Sequence, residues 1–145
     1  AAPCPAPPPG TLVAGDLSPT GTVGWGSLLV DSTNWGPGIT VGGEHYCTGI
    51  FAHSPSDVQI VIPEGASVFS AGVGLQDWAQ QCGDGATFSV VQNGATLWQS
   101  STLRNYDAAV ATGEIAVSAG PLHLMVAANA EYSCDTAAWV DVAVR

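Results

Sequence analysis

No stretch of this chain longer than about ten residues keeps the 3.6-residue apolar period and the caps of an amphipathic helix. Apolar residues recur instead in short segments with a two-residue period. DVQIVI (residues 57–62), HLMV (123–126) and WVDVAV (139–144) alternate polar and apolar side chains, as a strand does when one face lies on a core. The segment HYCTGIFAHSPSDVQIVI (45–62) and the closing AAWVDVAV (137–144) both read as strand-bearing. The same criteria place strands at residues 23–30, 58–62, 68–75, 87–92, 96–101, 114–117, 122–127 and 138–144, each bounded by Gly, Pro, Asn or Asp. Gln92-Asn93-Gly94-Ala95 predicts a tight hairpin, because Asn-Gly accepts the positive φ angles of a type I′ turn. Seven or eight short strands at this spacing predict an all-β protein, a β-sandwich of jelly-roll type.

At 145 residues the chain makes one domain, and a domain of this size buries roughly two-thirds of its unfolded surface. Its longest apolar runs are strand-sized, well short of the ~20 residues of a membrane-spanning helix. Residues 1–10 hold five prolines and read as a Pro-rich linker stub, leaving residues 11–145 as the sandwich. The opening AAPCPAPPP lacks the apolar stretch of a signal peptide, so the chain is expected to be a mature or excised fragment. Net charge is -10, with Arg104 and Arg145 as the only cationic side chains apart from histidine and no Lys. Such a surface repels phosphate, which makes nucleic acid and anionic membranes poor partners. It suits neutral ligands, divalent cations or cationic partners, and it also serves solubility alone. Four cysteines without a C-x-x-C pair argue against zinc and thioredoxin-like chemistry and for an oxidising, extracellular setting. Of the three pairings, Cys4–Cys47 with Cys82–Cys134 is preferred, since one bridge ties down the stub and the other joins two loops.

The residues of an enzyme are missing. There is no G-x-S-x-G elbow, H-E-x-x-H pair or P-loop. The only bases near neutral pH are His45, His53 and His123, and the alternation of PLHLMV turns His123 to solvent. Asp77 and Asp84 form no more than an acidic loop pair. Aromatic residues carry more information. Trp139 alternates into a core face, and Trp98 is a core or edge residue. Trp25, Trp35 and Trp78 lie beside Gly, Asn or Asp in loop-like stretches. Rings so placed either plug the ends of a sandwich or offer flat apolar faces to the C–H side of a sugar, with Glu44, His53 and Asp77 to hydrogen-bond its hydroxyls. His53, ahead of a strand, is expected to hydrogen-bond a loop backbone or to donate to a sugar hydroxyl.

Taken in order, GDL (15–17), GWG (24–26), GEHYCTGIFAHSPS (43–56), VGLQD (73–77), NG (93–94) and WVD (139–141) resemble the pattern of the novel putative carbohydrate-binding module (NPCBM) family. These are sandwiches of galactose-binding-domain-like fold appended to secreted glycoside hydrolases. The resemblance implies non-catalytic recognition of terminal sugars, galactosides above all, through loops at one end of the sandwich, by a module monomeric in isolation. It also implies a structural Ca²⁺, for which Asp16 and Asp141 stand at family positions; Asp141 serves the metal or a hydrogen bond inside the sandwich. The cysteines at 82 and 134 and Val140 depart from the family pattern. A module so stapled is expected to keep sugar binding or, as the alternative, to act as a structural, protein-interacting sandwich.

Overall fold

The computed structural model describes residues 5–77 and 83–145. Among the described residues a single 3-10 turn (Ala14–Asp16) is followed by fifteen strands. The first seven are β1 (Thr20–Thr22), β2 (Leu29–Val30), β3 (Ser32–Thr33), β4 (Gly36–Pro37), β5 (Ile39–Val41), β6 (Glu44–Tyr46) and β7 (Gly49–Phe51). The longer ones follow: β8 (Ser56–Ile62), β9 (Val68–Leu75), β10 (Ala86–Gln92), β11 (Ala95–Gln99), β12 (Val110–Ala111), β13 (Ile115–Ala116), β14 (Gly120–Ala128) and β15 (Ala137–Val144). One antiparallel sheet has the order β1-β8-β14-β10-β11 and the other β12-β9-β15-β7-β2, with β13 also on β9. Two small hairpins, β3–β4 and β5–β6, form separate two-stranded sheets. No helix among the described residues is long and apolar enough to cross a membrane.

The two sheets pack face to face on the alternating residues read from the sequence. Val58, Ile60 and Ile62 of β8 are buried while Asp57, Gln59 and Val61 point outward, and Leu122, Leu124 and Val126 of β14 alternate likewise. His123 stands on the outer face, as the alternation requires, with its Nδ1 2.8 Å from Asp57 Oδ1. In the core Phe88 of the first sheet meets Trp139 of the second edge to face, centroids 5.4 Å apart. Trp98 is half-buried against this core. At the predicted hairpin Asn93 and Gly94 take φ angles of 52° and 77°, the two positive values of a type I′ turn, with Gln92 opposite Ala95.

Two expectations needed correction. Residues 23–30 do not form one strand: only Leu29–Val30 pairs. Gly24 donates to the His53 carbonyl at 3.0 Å, and Gly26 sits at φ +71°, so the backbone there is a loop. Strand β15 is also buried on both faces over its first half, because Ile39 and Val41 of the β5–β6 hairpin cover Ala138 and Val140 in a second small cluster. Gly74 on neighbouring β9 makes room for this cover, since a Cβ there would run into Val41.

Candidate functional site

Four connecting segments enclose a cleft of about 250 Å³ lined by Trp25, Trp35, His53, Tyr132, Ser133 and Thr136, with Cys134 beside them. The GWG loop supplies Trp25. Its Gly24 lies so close to Ser54 that a side chain would strike the Ser54 carbonyl. The turn between β3 and β4 supplies Trp35, whose backbone N–H donates to Thr33 Oγ1 at 3.1 Å. His53 leaves β7 just before the cis Ser54–Pro55 bond, and the β14–β15 connection supplies the remainder.

The rings form a continuous row. Trp25 stacks beside Trp35 at 6.0 Å and 22°; His53 lies 5.7 Å from Trp25, and Tyr132 meets His53 edge-on at 6.0 Å. Trp25, Trp35 and Tyr132 are about half exposed, at 50%, 48% and 52%, whereas His53 is 5% exposed. Loop rings that only plugged the sandwich would be covered. These present open faces on a packed base, Trp35 resting edge-on against buried Phe51 at 6.1 Å.

His53 has a defined chemical state. Burial lowers its pKa below 6.5, only partly offset by its bond to Ser54, so the ring is neutral at pH 7. Its Nδ1 lies 2.8 Å from the Ser54 carbonyl oxygen, which can only accept. Nδ1 therefore carries the proton, and Nε2 is a hydrogen-bond acceptor. Of the two roles read from the sequence, Nδ1 fills the loop-backbone one; the expected donation to a hydroxyl is corrected, since the remaining Nε2 can only accept.

The back of the cleft is held by Gln76. Its N–H donates to the Thr136 carbonyl at 2.7 Å, its carbonyl accepts Thr136 Oγ1 at 2.9 Å, and its Oε1 accepts the Thr40 N–H at 2.7 Å. Asp135, between the lining residues, is fully buried and accepts Ser54 Oγ at 2.6 Å. Burial raises its pKa to about 6; the Ser54 bond opposes this, and the charges of Asp84 and Glu131 add to it. Its ionised form thus costs stability at neutral pH.

The structure divides the predicted ligand residues. Trp25, Trp35 and His53 line the one cleft. Glu44 opens β6 instead, and Asp77, just past β9, clamps the turn of the β5–β6 hairpin. Asp77 Oδ1 and Oδ2 accept the N–H groups of Gly42 and Gly43, each at 2.8 Å, while Glu44 is exposed beside Tyr46. Asp77→Ala is expected to release this turn and destabilise the chain by roughly 1–3 kcal/mol, measured by urea unfolding; unchanged stability would contradict the clamp. Trp78 lies outside the described residues. Cys47 and Cys134 are disulfide-bonded, and their expected partners Cys4 and Cys82 also lie outside.

The metal expectation at Asp16 and Asp141 finds no shared site. Asp16 Oδ2 accepts the Val13 N–H at 3.0 Å. Asp141 lies within an irregularity in β15, at φ 51°, and lines an outer groove with Tyr46, Ser70 and Glu114, where Asp16 is absent. Partial burial raises the Asp141 pKa. Among the described residues no three His, Cys, Asp or Glu side chains gather to hold a metal ion. Sequence reasoning missed Tyr132, Ser133 and Thr136. The available signal was an aromatic residue two positions before Cys134, in a loop noticed only for its cysteine.

Comparison with known proteins gives three kinds of likeness. The NPCBM/NEW2 domain model matches residues 11–145. Alpha-1,3-galactosidase B of Akkermansia muciniphila is 32% identical over 123 residues, covering 81% of this chain. The match takes in only 15% of that protein's length. Among solved structures, CBM51 from Clostridium perfringens GH95, in complex with methyl-galactose, superposes with a TM-score of 0.81 at 18% identity, covering 93% of this chain and 99% of that one. CBM51-2 of Clostridium perfringens ZmpB, in complex with GlcNAc and with INT domains, gives 0.80 at 21% identity over 93% of this chain and 31% of that one. Both share the sandwich fold.

Proposed function

Because this chain belongs to the NPCBM/NEW2 domain family, we propose that its aromatic cleft holds the terminal residue of a galactoside-type glycan on behalf of a larger extracellular protein. The chain is a non-catalytic carbohydrate-binding module, a sandwich of the CBM51 type. One observation carries the site assignment: half-exposed rings in a row beside a buried, neutral His53 whose Nε2 accepts. A pyranose is apolar across its C–H face and polar around its rim. An indole covers the first, and a fixed acceptor with nearby hydroxyls reads the second. Ser133, whose hydroxyl makes no hydrogen bond among the described residues, stands at that rim. Galactosides are favoured because their axial O4 leaves one ring face rich in C–H, and because relatives are named for galactosidase activity and a methyl-galactose complex.

In this reading the bridges are Cys4–Cys47 and Cys82–Cys134, the second bracing the loop that bears Tyr132, and the isolated module is a monomer. A glycan array probed with the purified, folded chain tests the assignment. Selective binding to terminal galactosides is expected. Silence across the array would overturn it and favour a sandwich that docks protein.

A further inference from the structure

Strand β15 breaks its alternation once, and the break places a carboxylate in a second concavity. Trp139, Val142 and Val144 all pack into the core between the sheets, so Val140 and Asp141 stand side by side away from it. The pairing of β15 with β9 is irregular over the same residues, and the Asp141 N–H donates instead to the Thr48 carbonyl at 3.1 Å. The arrangement is a β-bulge, a device that re-aims a side chain. Aspartate tolerates the left-handed φ of 51° found there. Asp141 lines a groove of about 370 Å³ that shares no residue with the aromatic cleft. Small and apolar residues make most of its surface: Gly72 of β9 lies between Val140 of β15 and Ala111 of β12. Tyr46 of β6 and Glu114 bound it with Asp141.

The charge in this groove is only half matched. Arg145 pairs with Glu114, whereas the Asp141 carboxylate makes neither an ion pair nor a hydrogen bond among the described residues. Its charge and that of Glu44 are both felt at Tyr46. An apolar trough that ends at a carboxylate and an aromatic ring fits a lysine. The four-carbon stem covers Gly72, Ala111 and Val140, and the ammonium reaches Asp141 beside the Tyr46 ring. Arg145 on Glu114 shows that a cationic side chain already settles at one side of the groove. This chain has no second one to offer. It contains no Lys, and its other arginine, Arg104, lies in a turn closed by Asp107. A second copy brings the same two arginines and no more. We infer that the groove docks a lysine side chain of a partner protein, with Asp141 as its counter-charge. This docking site is independent of which sugar the cleft takes.

The test titrates the 145-residue chain, isotopically labelled and at low ionic strength, with a blocked peptide bearing one lysine between alanines. The same peptide with glutamine in place of lysine is the control. Saturable NMR shifts at Tyr46, Gly72, Ala111 and Asp141 are expected with the lysine peptide alone. Asp141→Asn, which keeps a residue suited to the left-handed backbone, is expected to raise Kd about 10-fold. Ala111→Leu, which fills the trough and leaves the charge in place, should weaken binding as well. Glu64→Gln, an exposed carboxylate outside the groove, should leave Kd unchanged. Equal weakening by Glu64→Gln would overturn the docking site in favour of general attraction between opposite charges. Binding left intact by both groove substitutions would overturn it, as would silence with the lysine peptide. Shifts at the groove with glucosamine but not with the peptide would replace the protein partner by an amino sugar.

Discussion

Trp139→Ala is expected to remove roughly 3–5 kcal/mol of folding stability, the range for truncating a buried large aromatic. Trp139 is fully buried in β15, between β9 and β7 in the second sheet, and its ring meets Phe88 of the opposite sheet at 5.4 Å and 78°. Removing it takes away the principal aromatic contact between sheets and leaves a cavity that two hydrogen-bonded strands cannot close. A domain of this size is stable by about 5–15 kcal/mol, so Tm should fall by roughly 10 °C or more. The indole Nε1 is buried without an acceptor. Trp139→Phe, which keeps a ring and removes that unpaired N–H, should therefore cost much less than Ala. Urea unfolding of the two variants decides it. An Ala variant within about 1 kcal/mol of the parent chain would mean that this ring does not hold the sheets together.

Trp25→Ala is expected to raise the Kd for the preferred galactoside by about 10- to 100-fold while leaving Tm nearly unchanged. The ring is half exposed, and its neighbours in the row, Trp35 and His53, are anchored from other loops. Little packing is lost, whereas the sugar loses an apolar face. Trp35→Ala should weaken binding too, with some loss of stability because Trp35 also rests on buried Phe51. Titration calorimetry beside a melting curve separates binding from folding. If Trp25→Ala binds as tightly as the parent, the cleft is not the sugar site. If it binds weakly only because it has unfolded, the ring belongs to the core.

The long strands were legible because period-two alternation is imposed by burial of one face, and eight- and nine-residue strands such as β9, β14 and β15 are long enough to display it. Strands of two or three residues, such as β3, β4, β5 and β12, carry no period and were not anticipated. The GWG segment looked strand-like because Val and Trp surround its glycines. Only the approach of the His53 and Ser54 backbone shows that those glycines serve a loop. Among the binding candidates, Trp25, Trp35 and His53 come together at one cleft, whereas Asp77 holds a turn elsewhere. A carboxylate that clamps a Gly-Gly turn has the same letters around it as one that holds a ligand.

By itself, then, the sequence determined an all-β sandwich, its core faces, the Asn93–Gly94 hairpin and a surface hostile to phosphate, and its ordered motifs pointed to the family. Each of these follows from local patterning or from composition, which neighbours along the chain express directly. Tertiary structure alone decided which loops meet. Trp25, Trp35, His53 and Tyr132 span more than a hundred residues of chain yet form one row, while Glu44 and Asp77, equally plausible on paper, meet at the β5–β6 hairpin instead. Residues from separate connections come together only because the register and order of the two sheets bring those connections to the same end. Pairing across sheets leaves no periodic trace in any single segment.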